Sequence, residues 1–340
     1  MNLLIITQKA DKNDPILGFF HRWIEEFSKQ FENVIVICLY KGECDFPANV
    51  RVLSLGKEKG ESKFKYIANF YRYIWSERKN YDKVFVHMNQ IYVILGALLW
   101  KSLNKKITLW YTHRMVGTSL RIATKLSDVI FTASKESFRL ESGKVMVMGH
   151  GIDTDFFSSR SNQQAHDLYT ILSVSRISAT KNQLVMAEAF AILKQKGFKG
   201  KLVFVGSPIT ASDEAYQKKV IEYIEKEGIK NEISFEGSSK PHLVINAYHN
   251  ANLFINLSTT GSLDKAVLEA MACGLQIITS NEAFKNIVSE KNYCSLLPSE
   301  IAEKILMLSR EKADSALRQH VVEKNNINNL IPAVSAIIKN

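Results

Sequence analysis

The chain has 340 residues, of which 46% are apolar and 23% are charged, so it can build real cores and has the charge content of a soluble protein. This length favours two domains of ordinary size over one. The longest apolar run, residues 91–100, is too short to span a membrane, and the four scattered cysteines form neither a metal-ligand spacing nor a disulfide framework.

The net charge of +10 is distributed unevenly. Residues 1–160 carry 24 Lys or Arg against 16 Asp or Glu, a net of +8, while the remainder carries 20 against 18, a net of +2. A lysine-rich solvated surface would explain this excess, and so would attraction to an anionic membrane surface or to a nucleic acid. Because the cations are mostly dispersed lysines, a nucleic-acid partner is disfavoured, and peripheral membrane contact by the basic half stays open.

The first residues show no basic region followed by an apolar one and a cleavage site, so we expect a cytoplasmic protein, with the inner face of the membrane as one option. Short apolar runs then alternate with helical stretches. Strands are predicted at residues 3–7, 34–39, 83–87, 107–111, 128–132 and 145–148, and helices at 17–31, 63–78, 91–103 and 119–126. This alternation predicts a parallel, doubly wound sheet with ligands at the carboxyl ends of its strands.

Polar or small residues follow two of these strands. Gly18 and His21 come after the first strand, among aromatic residues that suit a core equally well. His87 ends a later strand and Asn89 follows it, so both could contact a ligand, although a strand-end histidine with satisfied hydrogen bonds is more common. These four residues are therefore candidates for ligand contact at the carboxyl edge.

The two halves meet near residue 160. The string Asp153-Thr154-Asp155 could hold a divalent metal, but such short strings are common by chance, and we predict no metal site. Residues 158–167 are polar and without periodicity, which predicts a linker. The predicted domains are therefore residues 1–160 and 161–340.

The second half again alternates, with strands predicted at 169–174, 202–206, 232–235, 253–257 and 275–279 and mostly helix from residue 299 onward. Arg176 and Lys181 follow the first of these strands. A planar guanidinium and a flexible ammonium at a strand-to-helix turn can neutralise a leaving diphosphate, although two surface cations capping a turn are the plain alternative. Gly206 and Gly237 follow the next two strands.

A loop of small residues at 258–263 leads into a helix predicted at 264–273, in which Glu269 is the only polar residue between 266 and 272. A helix that is apolar nearly all round is buried, and a carboxylate there costs several kcal/mol unless a donor meets it. Glu269 therefore either pairs with a nearby cation or faces solvent, or it accepts hydrogen bonds from paired hydroxyls of a ligand. The loop at the helix N-terminus offers N–H groups to an anion.

At Glu269-Ala270-Met271-Ala272-Cys273-Gly274 the sequence resembles the retaining GT-B glycosyltransferases of family 4, the glycosyl transferases group 1. The family signature is a Glu, seven residues, and a second Glu followed by Ala-Met-Ala-x-Gly. Gly261 stands where the family often has its first Glu. The Arg and Lys spacing and the Gly-Ile-Asp junction at 151–153 are also typical of this family.

The resemblance implies a GT-B fold, with two Rossmann-like doubly wound parallel-sheet domains facing a cleft and a last helix, near residues 331–338, that crosses back to the first domain. It implies that Glu269 binds the ribose, that Arg176 and Lys181 grip the diphosphate, that His113 faces the donor sugar, and that the loop at Gly237 lies against the base. It places Asp264 and Lys265 beside the donor phosphates, and the donor-binding residues further include Gly206, Gly261, Ser262 and Leu263. It also places the loop of Gly18 near the acceptor, and we assign Gly18, His21, His87 and Asn89 to the acceptor side as a hypothesis.

These residues lead to one hypothesis and two alternatives. The chain is predicted to be a metal-independent glycosyltransferase of hexosyltransferase type, which moves a sugar from a nucleotide-sugar to a glycan or lipid-linked glycan with retention and needs no cofactor beyond that substrate. A nucleotide-sugar epimerase of similar fold is the first alternative. A non-catalytic protein that binds nucleotide-sugars or glycans is the second, and Gly261 in place of the first Glu is its main support.

Overall fold

A computed structural model describes residues 1–159 and 168–340 of the chain. Two compact units are formed, the first from Met1–Gly151 with Ile327–Asn340, and the second from Ile152–Asn326. Of the predicted linker at 158–167, only Ser158 and Ser159 fall within the described residues, and the predicted boundary at residue 160 lies outside them.

The first unit is built on a seven-stranded parallel sheet in the order β3-β2-β1-β4-β5-β6-β7. Its strands are β1 (Leu3–Ala10), β2 (Val34–Lys41), β3 (Val50–Ser54), β4 (Lys83–His87), β5 (Lys106–Trp110), β6 (Val129–Thr132) and β7 (Val145–Val147). Its helices before the junction are α1 (Phe19–Ser28), α2 (Lys63–Ser76), α3 (Gln90–Ser102) and α4 (Thr118–Leu126).

The central strand β1 shows why this sheet forms. Its residues Leu3 to Ile6 are fully buried, because helices cover both faces of a parallel sheet and select a continuous apolar run. The edge strand β3 was missed in the sequence. Arg51 and Ser54 break its apolar run, and an edge strand needs less burial, so its pattern lacks the signal of a central strand.

The second unit is built on a five-stranded parallel sheet in the order β10-β9-β8-β11-β12. Its strands are β8 (Tyr169–Val174), β9 (Gly200–Val205), β10 (Ile233–Phe235), β11 (Leu253–Asn256) and β12 (Gln276–Thr279). Its helices are α5 (Gln183–Gln195), α6 (Ala211–Lys226), α7 (Val244–His249), α8 (Lys265–Ala272), α9 (Pro298–Leu308) and α10 (Ser315–Lys324).

The last helix, α11 (Ile327–Lys339), belongs to the first unit, where it packs against α1. Leu330 and Ile331 enter the same core as Trp23, and Lys106 Nζ donates a hydrogen bond to the carbonyl of Ile337 at 2.6 Å. No helix within residues 1–159 and 168–340 is both long enough and apolar enough to cross a membrane.

The predicted α/β class with two doubly wound parallel sheets is confirmed. In each sheet the strand order reverses at one place, between β1 and β4 in the first unit and between β8 and β11 in the second. Loops that leave two neighbouring strands there diverge and open a crevice at the carboxyl edge. Ligands of such sheets bind at these two carboxyl edges.

Candidate active site

The loops that follow β8 and β11 are joined to each other at the carboxyl edge of the second sheet. Thr259 N donates a hydrogen bond to Thr180 O at 3.0 Å, and Asn182 Nδ2 donates to Leu257 O at 2.7 Å. Strand pairing alone brings the two loops close, because β8 and β11 are neighbours. These bonds fix the predicted diphosphate-binding turn against the predicted donor loop.

Lys181 and Asp264 form an ion pair across this junction. The ammonium lies 2.9 and 3.1 Å from the two carboxylate oxygens and 3.0 Å from Ser258 Oγ. Asn256, the last residue of β11, donates a further hydrogen bond to Asp264 Oδ2 at 3.1 Å. Each side chain of the ion pair is only 16% exposed. The structure thus unites two predicted site residues, and the charge of Lys181 is already balanced by a neighbouring carboxylate.

Arg176 lies at the same edge but is more accessible. Its guanidinium is 43% exposed, and its Nε is 3.9 Å from an oxygen of Asp213, which forms a capping box with Thr210 at the start of α6. A pair at that separation with one exposed partner contributes little to stability, because water competes for the guanidinium. Arg176 can therefore turn toward an anion at small cost.

Glu269 is buried on α8, where two donors meet its carboxylate. One oxygen pairs with Lys265 Nζ one helical turn earlier, and the other accepts a hydrogen bond from Tyr248 Oη at 2.8 Å. Burial, and then the negative charge of Glu269, raise the pKa of Tyr248 well above its usual value, so its hydroxyl stays a donor. Pairing with a nearby Lys, one of the two alternatives for Glu269, is thus observed, and these contacts fix the direction of the carboxylate.

Two glycines allow the loops behind this edge to approach closely. Gly206 has a φ of 140°, and a Cβ there would stand 1.9 Å from the carbonyl oxygen of Ser175. Its N–H donates to Gly237 O at 2.8 Å, which links the loops that follow β9 and β10. No other residue fits at position 206 without moving the turn that carries Arg176.

The loop before α8 turns at Gly261, which adopts a left-handed φ of 68°. Ser262 O accepts a hydrogen bond from the buried Asn281 Nδ2 at 2.8 Å, and the side chain of Leu263 is 6% exposed. Both contacts hold the loop from behind. The predicted loop residues are thus brought together as one turn that leads directly into the N-terminus of α8.

In the first unit, His113 lies on the surface after β5. Its Nδ1 accepts a hydrogen bond from Met115 N at 3.2 Å, and its ring meets Tyr111 edge-on with centroids 6.5 Å apart. The local turn therefore orients the imidazole. Its predicted contact with a donor sugar stays a prediction.

The histidines assigned to the acceptor side are packed into the first unit. His21 Nδ1 lies 3.1 Å from Glu25 Oε1, its Nε2 accepts from Asp45 N at 3.2 Å, and its ring stacks on Phe46. Both ring nitrogens are thus engaged. An acceptor would have to displace one of these contacts to reach the ring.

His87 is 2% exposed, stacks on Phe20 with ring centroids 3.8 Å apart, and lies 3.3 Å from Thr7 Oγ1 across the β1–β4 switch point. Burial, and then the charge of His150, lower the pKa of His87 to about 3, so it is neutral at physiological pH. Asn89 occupies the N-cap position of α3, makes no side-chain capping bond and is partly exposed. Gly18 is buried at the start of α1 with an ordinary helical φ of −59°.

Two site neighbours were missed in the sequence. Tyr248 lies 21 residues before Glu269 on a different helix, and a tyrosine in an apolar segment is typical of a core, so no local signal marks it. Asn256 had a signal. It is a polar residue at the end of a buried apolar strand, and that position points its amide at the carboxyl edge.

No group of three or more His, Cys, Asp or Glu side chains suitable for a metal ion occurs in the part of the chain that the structure describes. The Asp-x-Asp string lies in a turn, in which Phe156 N donates to Asp153 Oδ1 at 3.0 Å. This contact gives the first carboxylate of the string a structural role.

The chain is similar over part of its length to proteins of known type. It is 31% identical over 132 residues to the alpha-monoglucosyldiacylglycerol synthase of Streptococcus pneumoniae, covering 38% of this chain and 29% of that protein. It is 29% identical over 183 residues to the amylovoran biosynthesis glycosyltransferase AmsK of Erwinia amylovora, covering 50% and 43%. The chain thus spans less than half of either relative.

Among solved structures, Alr3699/HepE of Anabaena in complex with UDP matches with a TM-score of 0.78 at 14% identity, over 100% of both chains. This match confirms the predicted GT-B fold. The sequence model of the family described as Glycosyl transferases group 1 matches residues 155–326, just over half of the chain. That range contains every residue of the second-unit edge described above, and the chain belongs to the glycosyl transferases group 1 family.

Proposed function

We propose that the protein transfers a sugar from a nucleotide-sugar to a glycan or lipid-linked glycan, with retention, as a member of family 4. The observation that carries this proposal is the joined edge of the second sheet, where Arg176, Lys181 and the N-terminus of α8 surround one loop. This is an arrangement of cations and backbone dipoles suited to a diphosphate. Glu269 lies one helical turn further along, at 6% exposure.

In the proposed reaction, the acceptor hydroxyl bonds to the anomeric carbon as the bond from that carbon to the diphosphate breaks, and the hydroxyl proton is released with the nucleoside diphosphate. The main demand is to stabilise negative charge on the leaving group. Arg176 turns from Asp213 and Lys181 exchanges Asp264 for a phosphate oxygen. These exchanges let the cations act without a metal ion.

Glu269 accepts hydrogen bonds from the two ribose hydroxyls in this proposal. Tyr248 and Lys265 hold its carboxylate in place, so little rotamer freedom is lost on binding. The loop at Gly237 would lie against the base through its backbone, and His113 would contact the donor sugar. Gly18, His21, His87 and Asn89 remain candidates for the acceptor side.

The known relatives support the substrate class. The Streptococcus relative is an alpha-monoglucosyldiacylglycerol synthase and the Erwinia relative is an amylovoran biosynthesis glycosyltransferase. HepE has also been solved with UDP and glucose and with UDP-glucose. A lipid-linked or glycan acceptor and a nucleoside diphosphate sugar are consistent with all three. UDP-sugars are therefore the first donors to test.

A second candidate, a non-catalytic protein that binds nucleotide-sugars or glycans, has one observation in its favour. Asp264 balances the charge of Lys181, and Gly261 supplies no carboxylate for the donor sugar. A protein that only binds a ligand needs neither a strong leaving-group cation nor that carboxylate. Release of free nucleotide separates the two candidates, because only a transferase hydrolyses the donor slowly when no acceptor is present.

The test is a thermal-shift and hydrolysis panel of UDP-, GDP-, ADP- and dTDP-sugars, first without metal and then with magnesium. We expect one nucleotide to stabilise the parent. Glu269→Gln should lower the affinity for that nucleotide about tenfold or more, because hydrogen bonds to a charged group contribute about 1.5–3 kcal/mol each. Glu303→Gln, an exposed glutamate on α9, is the matched control and should bind as the parent does.

If no nucleotide or nucleotide-sugar stabilises the parent, the donor-site argument fails. Stabilisation without release of nucleotide from any donor would favour the non-catalytic alternative. Interconversion of free nucleotide-sugars in the absence of an acceptor would instead favour an epimerase.

A further inference from the structure

Helix α2 carries an exposed apolar stripe, which we define as Phe64, Ile67, Tyr71 and Trp75. Their exposed fractions are 87%, 41%, 43% and 56%. The spacing of three, four and four residues places them on one face of the helix. A surface helix normally turns charged or polar residues to water, so this face is unusual.

The stripe is not the face that anchors α2 to its unit. Asn69, Phe70 and Ile74 do that, since they are buried and Phe70 packs against Tyr92 of α3 at 4.9 Å between ring centroids. The helix therefore has one apolar face for its own core and a second that faces outward. Folding explains the first face and leaves the second without a role.

Helix α3 widens the apolar surface. Tyr71 Oη donates to the carbonyl of Leu95 at 3.1 Å, which holds the two helices side by side. Leu98 on α3 is 86% exposed. Helix α3 thus adds a large exposed apolar side chain one turn beyond the point where it contacts the stripe.

Cations border the stripe, and neither helix contains Asp or Glu. Lys63, Lys65 and Arg72 lie on α2, and Arg78, just after it, stacks on the Trp75 ring at 4.2 Å. The nearest acid that follows α2, Glu77, is turned inward, where it pairs with Arg51. The outward charges of α2 and of its C-terminal end are therefore positive, and Glu61, two residues before the helix, is an acid at its other end.

The basic residues after α3 contribute differently. Lys105 Nζ donates to the carbonyl of Tyr81, Lys106 Nζ donates to that of Ile337, and burial lowers the pKa of both lysines. Both ammonium groups are thus engaged by the fold. These two lysines are therefore less available to an anionic surface than the cations of α2.

We propose that the stripe seats the first unit on an anionic lipid bilayer, with α2 lying in the plane of the interface. Aromatic side chains prefer the boundary between headgroups and acyl chains, and cations beside them bind anionic headgroups. A second copy of the chain fits the surface less well. A two-fold interface through the stripe would bring two sets of the same cations together.

Tryptophan fluorescence can report this contact directly. All four tryptophans lie in the described residues, and Trp23, Trp100 and Trp110 are at most 1% exposed, whereas Trp75 is 56% exposed. A blue shift on adding vesicles would therefore come from Trp75. The inference does not rest on the proposed transfer reaction.

The full chain is mixed with vesicles of phosphatidylcholine alone or of phosphatidylcholine with an equal part of phosphatidylglycerol. We expect co-sedimentation and a blue shift with the anionic vesicles. Both should be weakened by 0.5 M salt, because the Debye length falls from about 10 Å at 0.1 M salt to a few ångströms. Phe64→Ser should lower the partition coefficient about tenfold, the amount expected for one phenyl ring. Arg72→Gln should lower it about fivefold.

Two controls keep the result specific. Trp75→Phe should still sediment with the vesicles but lose the blue shift. Leu297→Ser removes a residue of the second unit that is 62% exposed and should bind as the parent does. Stabilisation by nucleotide should be unchanged in Phe64→Ser, which separates this test from that of the donor site.

Equal binding to neutral vesicles, no binding to either kind, or unchanged binding of Phe64→Ser would each overturn the proposal. Sedimentation equilibrium tests whether a second copy of the chain binds the stripe instead. A dimer in solution that Phe64→Ser dissociates would assign the stripe to a second copy of the chain.

Discussion

Both sheets have a switch point at their carboxyl edge, but the side chains at the two switch points differ. Where β8 and β11 diverge, the second unit places an ion pair, an accessible arginine and a carboxylate with two donors. Where β1 and β4 diverge, the first unit places His87 between Phe20 and Thr7, buried and neutral. The shared topology fixes where a site can form, and the side chains decide whether that edge can bind a charged ligand.

The largest expected effect tests how tightly the second edge is assembled. Gly206→Ala would drive a Cβ into the carbonyl of Ser175. We expect it to lower the free energy of unfolding by about 4 kcal/mol or more and to abolish stabilisation by nucleotide. Urea denaturation followed by circular dichroism measures the first effect, and the thermal-shift panel measures the second.

Gly228→Ala is its matched control. Gly228 also has a left-handed φ, 67°, but a Cβ there would meet nothing within 4 Å. Its cost should stay near 1 kcal/mol, the price of the backbone conformation alone. Equal losses in the two variants would contradict the idea that close approach of the loops makes Gly206 necessary.

The second prediction tests whether His87 at the β1–β4 switch point is packed in its neutral form. Because the pKa of His87 is about 3 in the folded chain and about 6.5 when unfolded, the unfolded state binds the extra proton between these values. Stability from this residue is complete above pH 6.5 and falls with decreasing pH by about 1.4 kcal/mol per pH unit, or about 3 kcal/mol at pH 4.

Urea denaturation from pH 7 to pH 4 should therefore show a steeper loss in the parent than in His87→Gln, which cannot take up that proton. The variant starts less stable at pH 7 because it loses the ring packing. His242→Gln, at an exposed position, should follow the parent. Parallel curves for the parent and His87→Gln would mean that the first edge admits the charged ring.

The smallest expected effect tests whether Asp264 competes with a nucleotide for Lys181 at the β8–β11 switch point. Asp264→Asn removes the carboxylate charge that competes for Lys181, so we expect affinity for UDP or the nucleotide found in the panel to rise about threefold to tenfold, the change given by ~1 kcal/mol. Isothermal titration calorimetry measures it. Glu222→Gln also removes one negative charge, at an exposed position on α6, and so controls for the effect of net charge on nucleotide binding. A fall in affinity would instead make Asp264 part of the binding surface.

Much of this architecture could be predicted from local pattern. Long buried runs such as β1 could be recognised as strands directly. The family resemblance predicted that Arg176, Lys181 and the loop before α8 share one donor site, and the structure brings them to one edge of the second sheet. The edge strand β3 could not be found, since its burial is partial. Helix bounds differed from prediction by one to three residues at most ends, where capping and fraying outweigh apolar periodicity.

The partners of the site residues could not be predicted, because they come from tertiary packing. Lys181 and Asp264 are 83 residues apart, and nothing local distinguishes a lysine that grips a phosphate from one that pairs with an acid. Lys106 shows the same limit, since its carbonyl partner lies 231 residues away on α11. Composition predicted a basic first half without telling which of its cations face water.

The adjacent residues Asp264 and Lys265 carry opposite charges and turn to different partners, Lys181 and Glu269. These four side chains therefore cancel, and a diphosphate arriving at this edge meets no net attraction from them. If this edge binds a diphosphate as proposed, recognition would depend on Arg176, on hydrogen bonds and on the axis of α8 more than on the net charge of these four side chains. A spent nucleoside diphosphate would then leave readily, and the edge would favour turnover over retention of its product.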